Sequence, residues 1–232
     1  PNILCWTSNL FVKRAGDPAY VSWHQDARYW NLDPPEVLTA WIALSPSTKA
    51  SGCLRIIPGS HHAEVPAHVD AFDKDNQLTR GQTLEEVDED AAVDLELAPG
   101  QMSLHHINLV HGSEPNRSDA PRIGLAIRYT STRVAPVGRR ESALLVRGED
   151  THGHFLPETR PTADFSLGGR LAHNRALRRQ VGNNYRVHGP TAWGKRMRLG
   201  ILRGASRAVL DALYLLLKLR SAFRGEGKAA RA

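Results

Sequence analysis

Three residues of the chain could together bind a metal ion. His24 and Asp26 lie two positions apart, and His111 follows far downstream. If residues 20–26 form a strand, the side chains of His24 and Asp26 point to the same face of it. Two imidazoles and one carboxylate form a 2-His-1-carboxylate triad. Such a triad binds Fe(II) on one side and leaves the other coordination positions open for a co-substrate and O₂.

His24 and Asp26 could instead have a purely structural role, because a carboxylate commonly accepts a hydrogen bond from a neighbouring imidazole. The context favours a metal. His111 ends a predicted strand just before a small-residue turn, and Arg122 follows on the next predicted strand. A metal centre that uses a 2-oxo acid needs a cation for the far carboxylate, ideally a guanidinium that can form two parallel hydrogen bonds. Arg128 shares a predicted face with Arg122 and is the alternative cation.

Short segments rich in β-formers, separated by Pro and Gly turns, must position these groups. The pattern is typical of a sandwich or a barrel. His105 and His106 fall on the same predicted strand as His111. Residues 62–92 are polar and acidic and predict a long excursion between strands. The predicted strands cover residues 2–12, 20–26, 37–44, 53–57, 93–97, 102–110 and 122–130.

These motifs, in this order, resemble the phytanoyl-CoA dioxygenase family of Fe(II)/2-oxoglutarate oxygenases. The eleven-residue spacing between His111 and Arg122 matches the family. The resemblance covers roughly residues 1–133. The matching residues are His24, Gln25, Asp26, Tyr29, Ala40, Trp41, Gly52, Cys53, Leu54, Pro58, Gly59, Ser60, His61, His111, Gly112, Ser113 and Arg122.

The resemblance implies a double-stranded β-helix, a jelly-roll, cupin-like barrel with the iron inside. It implies that His24, Asp26 and His111 bind Fe(II) and that Arg122 binds the C5 carboxylate of 2-oxoglutarate. By position, Gln25 and Trp41 would line the co-substrate pocket, although strand alternation turns Gln25 away from His24. Ser113 could add a hydroxyl contact to the co-substrate. The complete set of site residues that the resemblance implies is His24, Gln25, Asp26, Trp41, His111, Ser113 and Arg122.

The activity implied by the resemblance is hydroxylation of an unactivated C–H bond of a small organic or acyl substrate, using O₂ and releasing succinate and CO₂. Relatives that halogenate replace the carboxylate with a small residue, so the presence of Asp26 favours hydroxylation. Two alternatives stay open. One is a non-catalytic jelly-roll binding module, and the other is a cupin-type metalloenzyme that does not use 2-oxoglutarate.

Composition sets the wider expectations. The chain has 232 residues and only two cysteines, which indicates no disulfide framework and fits a reducing, cytoplasmic setting. No apolar run is long enough to span a bilayer, and no signal peptide is visible. The chain begins at Pro1, close to the first predicted strand, so we expect the core to be truncated at its N-terminus.

Charge is divided unevenly along the chain. Residues 170–232 contain 15 Lys and Arg against 2 Asp and Glu, so the basic character belongs to the tail. We therefore predict a β-sheet core at residues 1–133, a loop-rich segment at 134–169 and a basic helical tail at 170–232, with a helix at 203–223. The tail could be a plain appendage, or it could contact a membrane surface or an acidic partner. Without aromatic interleaving or a DNA-binding motif, it does not predict nucleic-acid binding.

Overall fold

A computed structural model of the protein describes residues 1–63, 68–70, 73–78 and 82–188. Within them the fold is mainly β. The strands are β1 (Ile3–Lys13), β2 (Val21–His24), β3 (Leu32–Asp33), β4 (Val37–Ala43), β5 (Leu54–Ile56), β6 (Val69–Asp70), β7 (Gln82–Thr83), β8 (Val93–Leu95), β9 (Met102–His106), β10 (His111–Ser113), β11 (Arg122–Ser131), β12 (Ala135–Pro136), β13 (Ser142–Arg147) and β14 (Leu156–Pro157). The α-helices are α1 (Ala27–Trp30) and α2 (Leu167–His188).

Two sheets dominate the fold. The large sheet has the order β14-β13-β1-β11-β4-β9, and the small sheet has the order β2-β10-β5-β8. Among the described strands of these two sheets, the β13–β14 pair is parallel and all other neighbours are antiparallel. The predicted mainly β architecture is confirmed, whereas the described strands form separate sheets and not a closed barrel.

Strand β11 shows how the sequence orients the large sheet. Buried and half-buried residues alternate along all of it, as the period of two in its sequence predicts. The buried positions include Arg122, Gly124, Ala126 and Arg128. On the neighbouring strand, the ammonium group of Lys13 reaches Ser113 of β10 in the small sheet. The buried face of the large sheet is therefore turned towards the small sheet.

The apolar core lies in two clusters on this side of the large sheet. Burying a large aliphatic or aromatic side chain contributes about 1.5–3 kcal/mol. The smaller cluster flanks the functional residues described below. The larger cluster comprises Leu4, Trp6, Leu32, Val37, Ile107, Val134, Ala143 and Phe155, and the smaller one comprises Trp41, Ala43 and Ala126.

The predicted boundary at residue 133 is wrong for the sheet. β13 lies in the segment predicted as loop-rich, and it pairs with β1 inside the large sheet. The run Ala143-Leu144-Leu145-Val146 that forms it is short and lies among loop residues, so its pattern is weak. Residues 1–188 form one compact unit. The helix predicted at 203–223 lies outside the described residues.

Helix α2 begins at Leu167, within the segment predicted as a loop, and a buried polar contact docks it on the sheet. Glu141 is 1% exposed. Its Oε2 accepts a hydrogen bond from Trp6 Nε1 at 2.9 Å, and its Oε1 accepts one from Asn183 Nδ2 at 2.7 Å. Within the described part of the chain, no helix is long and apolar enough to cross a lipid bilayer.

We expect Asn183→Ala to lower the free energy of unfolding by about 1–3 kcal/mol, because it leaves the buried Glu141 Oε1 without its donor. Chemical denaturation measures the change, and hydrogen exchange of α2 should accelerate. Asn174→Ala, at an exposed position of the same helix, is the matched control and should change stability little. Equal effects of both substitutions would show that the contact does not hold α2.

Candidate metal centre

Two histidines face each other across neighbouring strands of the small sheet. His111 is the first residue of β10 and the register partner of His24, the last residue of β2. Their ring centroids are 4.2 Å apart. Residues directly opposite one another in an antiparallel pair have their Cβ atoms about 4.5–5.5 Å apart. The pairing of β2 with β10 is therefore enough to bring two residues distant in sequence into one site.

Asp26 joins them from a turn and not from the strand. β2 ends at His24, and Asp26 has the helical dihedral angles φ −60° and ψ −32° at the start of α1. The prediction that strand alternation aligns Asp26 with His24 is therefore wrong. The carboxylate still reaches the histidines, with Oδ1 3.5 Å from His24 Nε2 and Oδ2 4.0 Å from His111 Nε2.

Backbone carbonyls orient both imidazoles. His24 Nδ1 lies 2.8 Å from the Ser22 carbonyl oxygen, and His111 Nδ1 lies 2.8 Å from the Leu109 carbonyl oxygen. A carbonyl only accepts, so each Nδ1 carries the proton and each Nε2 presents a lone pair. One ligand atom each from His24, Asp26 and His111 then lie within 4.8 Å of one another. Such hydrogen bonds to carbonyls are usual for metal-binding histidines.

The protonation states also suit a cation. Burial lowers the pKa of His111 to about 3, with His24 adding to the effect and Asp26 opposing it. Burial alone would raise the pKa of Asp26, but its contact with His24, the neighbouring His111 and the positive charge of Arg128 lower it to about 2. A neutral imidazole and an ionised carboxylate are the forms that bind metals. The residues present therefore fit a divalent iron ion.

A buried cation lies at the start of β11. Arg122 is 4% exposed, and its Nη2 donates to the Gly52 carbonyl oxygen at 2.7 Å. Its guanidinium carbon lies 5.2 Å from the centroid of the Trp41 ring. Burial lowers the pKa of Arg122 to about 10, so the side chain stays charged at neutral pH. The structure therefore brings together two of the residues predicted to bind a co-substrate.

Lys13 is a second buried cation beside Arg122, and sequence reasoning missed it. It is the register partner of Arg122 on β1 and is 0% exposed. Its Nζ donates to Ser113 Oγ at 2.8 Å, to the Ser113 carbonyl oxygen at 3.3 Å and to the Glu114 carbonyl oxygen. Burial, followed by the charge of Arg122, lowers the pKa of Lys13 to about 7. A lysine at a strand end carries no sequence signal for this position, because most such lysines are exposed.

Ser113 is thereby prepared to donate. When Lys13 is protonated its ammonium group cannot accept a hydrogen bond, so Ser113 Oγ accepts from it and keeps its own proton for another partner. The carboxylate of Glu114 pairs instead with Arg55, at 3.3 Å. Within the described residues, Lys13 and Arg122 have no carboxylate partner within 4 Å. Buried charges are normally paired, so this corner of the fold suits an anionic ligand.

Gln25 is buried, but its contact lies elsewhere. Its Nε2 donates to the Asn108 carbonyl oxygen at 2.6 Å, in the turn between β9 and β10. This bond ties the start of α1 to that turn. A role of Gln25 in co-substrate binding stays a prediction.

The sequence predicts that His105 and His106 lie on the strand that carries His111, and this prediction is wrong. They end β9 in the large sheet, whereas His111 opens β10 in the small sheet. The turn between the two strands carries the chain from one sheet to the other. His105 is buried with its ring centroid 5.1 Å from that of His111, and His106 is half-buried near His61.

The two β-sheets and the site of two imidazoles and one carboxylate place this chain in the class of candidate mononuclear, non-haem metalloproteins. Within that class the family is clear. The sequence model of the phytanoyl-CoA dioxygenase (PhyH) family matches residues 2–124, more than half of the chain. The chain therefore belongs to the phytanoyl-CoA dioxygenase family.

Individual relatives agree. Over 149 residues the chain is 31% identical to a probable alpha-ketoglutarate-dependent hypophosphite dioxygenase of Stutzerimonas stutzeri, covering 61% of this chain and 51% of that one. It is 31% identical to phytanoyl-CoA dioxygenase 1 of Oryza sativa subsp. japonica, covering 54% of this chain and 44% of that one. The chain thus spans about half the length of these curated relatives.

Solved structures show the same likeness. The non-haem monooxygenase ThoJ in its apo form matches with 38% identity and a TM-score of 0.72, covering 80% of this chain and 68% of that one. EvdO2 from Micromonospora carbonacea var. aurantiaca, complexed with 2-oxoglutarate, matches with 32% identity and a TM-score of 0.51. That match covers 60% of this chain and 56% of EvdO2.

We expect Asp26→Ala to abolish stabilisation by divalent metals. A metal present at a hundred times its Kd stabilises the folded state by about 2.7 kcal/mol, which a thermal shift measurement detects readily. Fe(II) under anaerobic conditions, or Co(II) in its place, should raise the melting temperature of the parent but not of Asp26→Ala. Asp33→Ala, at an exposed carboxylate nearby in sequence, is the control. Equal shifts in parent and Asp26→Ala would place the metal elsewhere.

A substitution at Gly124 tests how tightly the Trp41 indole packs beside the buried cations Arg122 and Lys13. A Cβ atom at this position would lie 2.0 Å from Trp41 Cζ2, and the indole ring is buried. We expect Gly124→Ala to displace the indole and to cost about 1–3 kcal/mol of unfolding free energy by overpacking, measured by chemical denaturation. Gly182→Ala, at an open position of α2, should be neutral or slightly stabilising. A neutral Gly124→Ala would show that the indole relaxes without cost.

Proposed function

We propose that this protein is an Fe(II)/2-oxoglutarate-dependent dioxygenase that hydroxylates a C–H bond of a small organic or acyl substrate and releases succinate and CO₂. The observation that carries the proposal is the combination of two groups of residues. One is the carbonyl-oriented triad of His24, Asp26 and His111. The other is the pair of buried cations, Arg122 and Lys13, which have no carboxylate partner among the described residues.

The triad's task is to hold Fe(II) through one side only. His24 and His111 supply neutral nitrogen ligands with fixed ring orientation, and Asp26 supplies the negative charge. When bound, iron with 2-oxoglutarate supplies the oxidising chemistry that activates O₂. Asp26 occupies a position that a halide would need, so hydroxylation is the outcome that this ligand set favours.

Arg122, Lys13, Ser113 and Trp41, which we call the cationic corner, would orient the co-substrate. Arg122 offers a guanidinium fork to the C5 carboxylate, and Ser113 can add a hydroxyl hydrogen bond. Lys13 holds Ser113 in place and adds positive charge. Trp41 packs against the Arg122 guanidinium, and both side chains are buried. Hydrogen bonds that involve a charged group are stronger in such a dry site than at the surface.

The fold we propose around this chemistry is the double-stranded β-helix, of which the large and small sheets are the two halves. In this fold β2, β10 and the turn at Asp26 would supply the iron ligands, and β1, β4, β10 and β11 would supply the co-substrate residues. The basic residues after position 188 lie outside the described residues, and contact with a membrane surface or an acidic partner stays a hypothesis for them.

The relatives suggest two substrate classes. One named relative is a probable hypophosphite dioxygenase and another is a phytanoyl-CoA dioxygenase. The alternative of a cupin-type metalloenzyme without 2-oxoglutarate lacks a reason for the buried Arg122 and Lys13. The alternative of a non-catalytic module lacks a reason for the intact triad.

Anaerobic titration tests the proposal. The parent with Fe(II) and 2-oxoglutarate should show the visible charge-transfer band of the chelate. We expect Arg122→Met to weaken 2-oxoglutarate binding by about 10- to 100-fold, because a charge-assisted bond to a carboxylate is lost. The same titration on Lys13→Met measures the second cation. Arg133→Gln, an exposed arginine paired with Glu36, should leave the affinity unchanged.

The outcomes separate the alternatives. No band in a folded protein that binds iron would leave a metalloenzyme that does not use 2-oxoglutarate. An unchanged affinity in Arg122→Met would move the carboxylate site away from β11. A band with substrate-stimulated succinate formation would support the full proposal.

A further inference from the structure

One row across the buried face of the large sheet carries polar atoms without partners. Arg128 on β11 is the register partner of Thr39 on β4, which in turn is the register partner of His105 on β9. The three residues are 7%, 2% and 5% exposed. Within the described part of the chain, Arg128 Nε, Thr39 Oγ1 and His105 Nδ1 have no hydrogen-bond partner.

Such a row requires an explanation, because buried polar atoms in folded proteins nearly always have partners. A guanidinium has five donors, and Arg128 uses one of them on Asn9 Oδ1. Its charge is met by the faces of two aromatic rings, with its guanidinium carbon 5.1 Å from Trp30 and 5.7 Å from Phe11. Aromatic faces attract the charge but accept none of its remaining N–H groups in hydrogen bonds comparable to those of a carboxylate.

The row lies beside the metal centre. The ring of His105 is 5.1 Å from that of His111. Trp30, which stacks on Arg128, belongs to the helical turn that begins directly after Asp26. The charges of Asp26 and Arg128 stabilise each other at a distance, but the Asp26 carboxylate makes its close contacts, within 4 Å, with His24 and His111 and not with Arg128.

Arg128 is also distinct from the co-substrate corner. Arg122 and Arg128 are six residues apart on one strand, which corresponds to about 20 Å between their Cα atoms. Arg122 packs on Trp41, whereas Arg128 packs on Trp30 and Phe11. The two guanidinium groups therefore lie in different aromatic surroundings.

A cavity of about 330 Å³ beside the small sheet does not compete for this role. It is lined in part by Tyr20, Trp23 and Arg55. The charge of Arg55 is already neutralised by Asp94, Glu89 and Glu114, at 3.1, 3.2 and 3.3 Å. Ser113, which the proposed function assigns to 2-oxoglutarate, also lines that cavity, so an anion there would be the co-substrate. Arg128, by contrast, has no carboxylate partner within 4 Å among the described residues.

We infer that Arg128 and Thr39 form the subsite for an oxyanion of the substrate that is to be oxidised, and that this substrate is a small carboxylic acid or a close oxyanion analogue. The inference rests on the proposed function and names the substrate class of the same site. The guanidinium fork binds the oxyanion and the Thr39 hydroxyl donates to it. The rest of the substrate then extends from this row towards the triad, so Arg128 sets which C–H bond is presented.

The test uses the full chain loaded anaerobically with Fe(II) and 2-oxoglutarate. The probes are butyrate, its neutral counterpart butyramide, and propylphosphonate. Binding is read from the perturbation of the visible chelate band and, independently, from thermal stabilisation. We expect butyrate to bind at least about tenfold more tightly than butyramide, as the loss of one charge-assisted hydrogen bond implies. The phosphonate arm separates a carboxylate site from a general oxyanion site.

Three variants make the assignment specific. Arg128→Met should remove the preference for butyrate while changing the Kd for 2-oxoglutarate less than about threefold, since a factor that small corresponds to less than one hydrogen bond. Thr39→Val keeps shape and charge and should weaken butyrate binding alone, so it decides the question if Arg128→Met does not fold. Arg133→Gln should behave as the parent does.

The contrary outcomes are distinct. Equal binding of butyrate and butyramide, or no binding of any probe by a protein that shows the chelate band, would overturn the inference and leave the proposed function standing. A loss of 2-oxoglutarate affinity in Arg128→Met, equal to that in Arg122→Met, would make Arg128 a co-substrate residue and would also overturn it. Absence of the chelate band in the parent would remove the proposed function itself.

Discussion

The antiparallel pairing of β10 with β2 is the constraint on which the candidate site depends. It sets His111 opposite His24, and all further contacts of the site are arranged around that pair. Each imidazole is held by a backbone carbonyl two residues before it in sequence, from Ser22 and from Leu109. The same local bond thus occurs twice, and the strand pairing directs both Nε2 atoms into one space.

A second constraint is the cost of burying positive charge. Lys13, Arg122 and Arg128 are all buried on the inner face of the large sheet, and none has a carboxylate within 4 Å in the described residues. Removing an ion from water without a partner is expensive, and burial accordingly lowers the pKa values of Lys13 and Arg122 to about 7 and about 10. Aromatic faces and carbonyl oxygens offset part of that cost. Anionic ligands would offset the rest, which links the stability of this face to the binding of its ligands.

The alternation along β11 places two arginines on the inner face of a single strand. Its inward positions carry Arg122, Gly124, Ala126 and Arg128 in order. The two arginines are separated by small residues, of which Gly124 makes room for the Trp41 indole. The buried cluster of Trp41, Ala43 and Ala126 thus packs between the two cations. The spacing follows from the period of two, so it could be predicted, but the two different aromatic environments could not.

What the sequence determined by itself was the set of chemical groups and most of the strands. The candidate triad, the Arg122 spacing, the strands β1, β2, β4, β5, β8, β9 and β11 and the alternation along β11 could be predicted, because local patterns and motif spacing encode them. The short strands β3, β6 and β7 and the separate strand β10 could not. What only the tertiary structure decided was how distant or irregular pieces meet. Asp26 reaches the histidines from a helical turn, His105 and His111 belong to different sheets, β13 completes the large sheet, and Lys13 lies buried beside Arg122. Each of these depends on contacts between residues far apart in sequence or on one backbone turn, and neither leaves a periodic signal along the chain.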